Sequence, residues 1–180
     1  MTLILYLLTI VVSNVVTVII PPTDLGILVI PPSAYFMGFS FIFGNLLQDR
    51  YGKGVSRWFI WVGLAISAVL FQLLELSQVV IVASSIAFLV SQFLSNFLYD
   101  LFKKLPISNH AMLLSSVIGS LVDVTLFVTI GLSPLGLNVL QGINILLAIV
   151  GQFIVQTILQ IIAKKLLFKF YATKNTYKEN

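Results

Sequence analysis

The chain has 180 residues, 59% of them hydrophobic and only 9% charged, with a mean hydropathy of +1.08. A soluble domain carries roughly 25% charged residues, so this composition cannot cover a water-facing surface and its solvent is lipid. The net charge of +4 comes from basic residues that flank apolar spans and form no continuous basic face, which argues against nucleic acid; with no cysteine, disulfides, thiolate nucleophiles and Cys metal sites are excluded.

A membrane helix needs about 20 mostly apolar residues. Six stretches are predicted to be such spans: 2–20, 33–49, 56–74, 79–103, 108–131 and 138–168. The first begins without a basic region and has no small-residue cleavage site, so it reads as a retained helix and not a signal peptide. Pro21-Pro22 and Pro31-Pro32 bracket the first loop and predict a short extended or re-entrant piece between them. Gly52 and Gly54 turn the second loop, Pro106 follows Lys103-Lys104, and Pro134 with Gly136 marks the fifth. The sixth stretch exceeds the bilayer thickness, so its C-terminal third is expected to emerge as a basic, amphipathic helix. The expected organisation is a six-helix transmembrane domain over 1–170 and a polar cytoplasmic tail over 171–180.

All ten Lys and Arg residues fall in three clusters: Arg50, Lys53 and Arg57; Lys103 and Lys104; Lys164, Lys165, Lys169, Lys174 and Lys178. The connections around Asp24, Glu75 and Pro134 carry none. By the positive-inside rule the three basic clusters face the cytoplasm, and with six spans both termini do too. The expected fold is an all-α bundle of about six transmembrane helices in the cytoplasmic membrane.

Polar side chains inside lipid need a partner or a cavity. Asp123 lies near the middle of the fifth span, where insertion scales charge about 2.5–3.5 kcal/mol for an aspartate. No span interior holds a Lys or Arg to offset it. Asp123 is therefore held neutral, satisfied by neutral polar neighbours, or facing a wet cavity. Ser120, Gly119 and Ser116 precede it on the same helix face. A ligand or proton site is one reading; an aspartate satisfied by Ser and Gln groups is the other. On the fourth span Ser85, Phe88, Gln92, Asn96 and Tyr99 recur at steps of three or four and share a face. Two amides and an aromatic there suit a flat heteroaromatic ligand, or else plain interhelical hydrogen bonding. Asn14, Asn45 and Gln152 are further cavity candidates, while the outer glutamines of the sixth span read as interfacial. Asp100 is expected to pair with Lys103 or Lys104 along its own helix. His110 stands alone near a helix start and reads as interfacial.

No phosphate-cradling glycine loop, HExxH or Ser/His/Asp set is present. The chain reads as a non-enzyme, without cofactor or metal.

Three segments resemble one known family. Residues 39–53, Phe-Ser-Phe-Ile-Phe-Gly-Asn-Leu-Leu-Gln-Asp-Arg-Tyr-Gly-Lys, are similar to the second-helix signature of the vitamin uptake, or queuosine precursor, transporters. Residues 83–92 resemble that family's fourth-helix segment, and 115–127, with Ser116, Gly119, Asp123 and Phe127 in order, its fifth. Asn14 fits an Asn of the first helix. Asn45 stands where the family has an acid, Ser95 or Asn96 where it often has an Asp, and Ser120 where it has a Gln.

The resemblance implies import of a 7-deazaguanine such as 7-cyano-7-deazaguanine, the precursor of queuosine in tRNA. Asp123 would accept from the guanine-like edge, Gln92 and Asn96 would supply amide contacts, and Phe88 or Tyr99 would stack. Asn45, Asn14 and Ser116 complete the expected set. Two alternatives stand beside it. One is the substrate-binding subunit of an energy-coupling-factor transporter, docked on an ATPase module through small residues such as Ala83 and Ala87. The other is a membrane interaction or accessory protein. The expected partners are a small molecule and the bilayer, with a homo-oligomer or an ATPase module left open.

Overall fold

The computed structural model describes residues 1–20, 23–24 and 29–176, with backbone alone at 24, 29 and 168–176. Pro21-Pro22, the middle of the first loop and the last four residues of the tail lie outside these described residues. Six long helices follow one another: α1 Thr2–Ile19, α2 Ala34–Tyr51, α3 Lys53–Leu73, α4 Gln78–Lys103, α5 Ala111–Phe127 and α6 Ile143–Thr176. Between α1 and α2, Thr23–Asp24 and Val29–Ile30 form a short antiparallel ladder. A π-helical turn, Val128–Leu132, prolongs α5.

Five helices are long and apolar enough to cross a membrane. The exception is α2, whose last turns carry Asn45, Gln48, Asp49 and Arg50. Its position explains this. α2 packs against all five other long helices, and ten of its eighteen residues are buried. Enclosed by protein, it has little lipid to face and tolerates a polar sequence that an outer helix could not.

The bundle is polar inside and apolar outside. Among the described residues, twenty buried side chains are polar against twenty-one apolar. The outer faces expose Leu8, Trp58, Trp61, Val69, Phe97, Leu146 and Ile154. Small residues line the seam between α5 with its π-helical turn and α4. A Cβ on Gly119 would lie 2.8 Å from Ser95 Cβ, and one on Gly131 would lie 3.0 Å from Ala83 Cβ. Ala83 and Ala87 are buried in the bundle at 0% and 1% exposure. They are therefore not available as a docking face.

The described basic clusters gather at one end. Lys53 Nζ lies 2.6 Å from Asp100 Oδ2, Lys103 pairs with Asp49, and Lys164 Nζ donates to the Asn109 carbonyl at 3.0 Å. Arg50 reaches the start of α1, donating to Thr2 Oγ1 at 3.0 Å. Asp100 thus pairs across to α3 rather than along its own helix, because α3 begins three residues earlier than its apolar run and brings Lys53 within reach. α6 begins five residues later than expected. The stretch before it turns through positive-φ backbone at Asn138 and Gly142, which no helix accommodates. From there α6 runs 34 residues, about 50 Å at 1.5 Å per residue, well past a hydrocarbon core of about 30 Å.

Gly38 marks where α2 and α6 touch: a Cβ there would stand 2.8 Å from the Gln156 carbonyl oxygen. Overpacking of this kind costs about 1–3 kcal/mol, more than the roughly 1 kcal/mol that Ala gains over Gly in a helix. Gly38→Ala is therefore expected to lower the melting temperature in detergent. Gly54→Ala, where nothing lies within 4 Å, should hold or raise it; equal melting temperatures would contradict the close approach.

Candidate functional site

The bundle contains a partly open cavity lined by residues of all six long helices. It lies in the half away from the basic end. α1 contributes Ser13, Asn14 and Thr17 from its second half; α3 contributes Leu64, Ser67 and Phe71 from its last turns. α4 contributes Ser84, Ser85 and Phe88 from its first half, α5 Asp123 and Phe127, and α6 Gln152 and Gln156. Met37 closes the wall from α2.

Asp123 is 7% exposed. Ser91 Oγ lies 3.1 Å from its Oδ1 and 3.1 Å from the Phe88 carbonyl, so one hydroxyl proton serves two acceptors. Among the described residues no other donor and no ion-pair partner reaches this carboxyl. A carboxylate offers about four acceptor positions, so Asp123 retains capacity for donors entering the cavity. Across the cavity Asn14 Nδ2 donates to Ser67 Oγ at 2.8 Å, which fixes the amide against α3. Phe88 is 5% exposed and offers the aromatic surface.

The structure brings together three of the eight residues expected from sequence, Asp123, Asn14 and Phe88. The other five lie between the cavity and the basic end, where each is hydrogen-bonded to a neighbouring helix, although Asn96 Oδ1 has no partner among the described residues. Asn45 is the hub, its Nδ2 donating to Ser95 Oγ at 3.1 Å and to Ser115 and Ser116 Oγ at 2.9 Å each. Ser115 and Ser116 give their own protons to the Ala111 and Met112 carbonyls one turn back, which leaves oxygen lone pairs for Asn45. Gln92 Nε2 donates to Ser40 Oγ at 3.2 Å, and Gly44 leaves the space that Gln92 occupies. Asn96 Nδ2 donates to Ser56 Oγ at 2.8 Å. Tyr99 Oη donates to Asp49 Oδ1 at 3.0 Å, beside Lys103. Gln156 and Ser67 line the cavity although spacing did not single them out. The one available signal was the repeat of glutamines every four residues at 152, 156 and 160.

Interhelical hydrogen bonds in membranes average about 0.6 kcal/mol. Asn45→Ala removes those joining α2 to α4 and α5, so it is expected to cost about 1–2 kcal/mol of stability in a denaturing-detergent titration. A loss under about 0.3 kcal/mol would show that the set contributes packing only.

Residues 68–173, more than half of the chain, match the model of the family described as "putative vitamin uptake transporter". The matched stretch contains α4, α5 and the Asp123 wall of the cavity. Comparison with curated proteins and with solved structures gives no match. The apolar outer faces, the polar interior and the matched stretch agree: the chain is a multi-pass cell membrane protein that belongs to the vitamin uptake transporter family.

Proposed function

We propose that this membrane transporter imports a 7-deazaguanine, 7-cyano-7-deazaguanine or a close relative, for the making of queuosine in tRNA. The observation that carries the reading is Asp123, a buried carboxyl on the wall of a membrane cavity with a single hydrogen-bond donor. A guanine-like edge presents an N–H beside an amino group, and a carboxylate accepts from both. Phe88 offers a ring for stacking, which is worth about 1–3 kcal/mol per base in nucleic-acid sites. Asn14 supplies an amide at the same level.

The basic end faces the cytoplasm in this reading, as the positive-inside rule requires. The substrate then enters the cavity from the opposite side. Gln92, Asn96, Asn45, Ser116 and Tyr99 lie on its way inward, and they meet it only after the bundle rearranges. Their hydrogen bonds across α2, α4 and α5 are the contacts that such a rearrangement exchanges.

The test is rescue of queuosine in tRNA. The host lacks both precursor synthesis and its own importer and is fed limiting 7-cyano-7-deazaguanine. The wild-type protein is expected to restore queuosine. Asp123→Asn, at equal membrane level, is expected to lower uptake at least tenfold, since a hydrogen bond to a charged group is worth about 1.5–3 kcal/mol. Full uptake by Asp123→Asn would remove Asp123 from the site, and no rescue by inserted wild type would remove the substrate.

A further inference from the structure

A serine or threonine inside a membrane helix usually returns its hydroxyl proton to the backbone one turn back. Thr17, Ser40, Ser91, Ser115 and Ser116 all do so here. Ser84 and Ser85 do not. Both line the cavity from the first half of α4 and are half-buried, and neither hydroxyl has a hydrogen bond among the described residues. Neither oxygen is sealed in: both keep accessible surface, unlike the unpartnered atoms of Gln152 and Gln156. Val82 and Ile86, to either side in sequence, turn outward at 52% and 40% exposure, so lipid meets another face of α4. Of the other cavity hydroxyls, those of Ser13, Thr17 and Ser67 are hydrogen-bonded, and that of Ser33, on a different wall, is not.

Register ties the two open hydroxyls to the rest of the site. Ser84, Phe88 and Ser91 stand at i, i+4 and i+7 on one face of α4, and Ser85 flanks Phe88 three residues before it. Ser91 is the donor to Asp123 Oδ1. Asp123 Oδ2 accepts from no described residue and also keeps accessible surface. Ser84 lies seven residues from Ser91, about 10.5 Å along the axis at 1.5 Å per residue. This face of α4 therefore carries a sequence of functions. The carboxyl held by Ser91 lies deepest, the Phe88 ring comes next, and two free hydroxyls lie a further turn from the basic end.

We infer that Ser84 and Ser85 determine specificity by reading the substituent on the five-membered ring of the base, a hydroxyl donating to the nitrile nitrogen. This rests on the 7-deazaguanine reading above. With the N–H and amino edge on Asp123 and the rings over Phe88, the nitrile projects from the ring remote from Asp123, toward the two serines. Two fused rings, the nitrile rod and a hydrogen bond at each end together span a length of the same order as the two helical turns between Ser91 and Ser84. A nitrile nitrogen accepts and cannot donate. The hydroxyls supply the donor that Asp123 and Phe88 lack, and they are not already committed to a backbone carbonyl. A rod of the same shape without the terminal lone pair leaves them unanswered, and a site that hydrogen-bonds its substrate discriminates against such an analogue.

The experiment measures binding by calorimetry to the purified full chain in detergent. The ligands are 7-cyano-7-deazaguanine and 7-ethynyl-7-deazaguanine, which share their shape and differ at the tip. Wild type is expected to prefer the nitrile about five- to tenfold, the effect of one hydrogen bond gained in a buried site. The double variant Ser84→Ala, Ser85→Ala should bind both equally, at the wild-type affinity for the ethynyl base. Ser33→Ala should keep the preference. Asp123→Asn should weaken both ligands and keep the preference, which separates this subsite from the carboxyl. Where the double variant does not purify as a single species, Ser84→Ala alone carries the same expectation. Equal binding of the two bases by wild type, or a preference that survives in the serine variants, would overturn the assignment while leaving the substrate class in place. Failure of wild type to bind either base would remove the substrate reading and this assignment with it.

Discussion

In lipid no water stands ready to satisfy a polar group, and every amide and hydroxyl that enters the bundle must find its partner within the protein. Asn45 shows how this chain meets the requirement. It sits on α2, the one helix that contacts all the others, and it reaches serines on α4 and α5. Those serines are small enough to let the helices close up; Ser115 and Ser116 leave lone pairs free because their protons return to their own backbone, while Ser95 donates to Asn45 Oδ1 at 3.4 Å. Close approach and hydrogen bonding thus come from the same residues. An apolar core of Leu and Ile would gain no hydrophobic driving force against lipid tails that are equally apolar.

The bundle divides along its length as a result. The half near the basic end is filled by amides and hydroxyls that hold one another. The other half holds a cavity whose polar groups are only partly matched. Among the described residues Asp123 has a single donor, and the amides of Gln152 and Gln156 each keep an unpaired atom. Both halves are polar, and unpartnered atoms occur in each, Gln48 Oε1 and Asn96 Oδ1 toward the basic end and atoms of Gln152 and Gln156 beside the cavity. The halves differ in that amides near the basic end bond across α2, α3, α4 and α5, whereas the cavity wall carries a carboxyl with one donor among the described residues.

Much of this was legible in the sequence because its causes are local. Apolar runs and their proline and glycine breaks give the helices, and the position of Lys and Arg gives the common basic end. An aspartate amid apolar residues announces itself, and Asp123 does stand on the cavity wall. Spacing placed Phe88, Gln92, Asn96 and Tyr99 on one face, and all four are buried. A shared face carries no information about depth, however. α4 is 26 residues long, so the full stripe, which starts at Ser85, passes through both halves, and of its five residues Ser85 and Phe88 line the cavity. Gln156 was obscured for the converse reason. Its helix extends far beyond the bilayer, and glutamines on its outer turns look interfacial until the start of α6 is known. That start depends on the positive-φ turns at Asn138 and Gly142, which residue type alone does not require at those positions. The Lys53–Asp100 pair likewise depends on where α3 begins.

Two ion pairs among the described residues at the basic end, Lys53–Asp100 and Lys103–Asp49, are partly exposed, with side chains 33–53% accessible. Pairs so wetted contribute about 0–1 kcal/mol each and weaken with salt. They therefore align α3 and α4 with α2 without welding them. The energetic resistance to parting the helices at this end resides deeper, in the short amide and hydroxyl bonds around Asn45, Gln48 and Asn96. Those bonds are interchangeable with water or with a passing polar solute of similar capacity. A barrier made of exchangeable hydrogen bonds beneath a weak electrostatic clasp is shallow by construction, and ionic strength acts on the clasp alone.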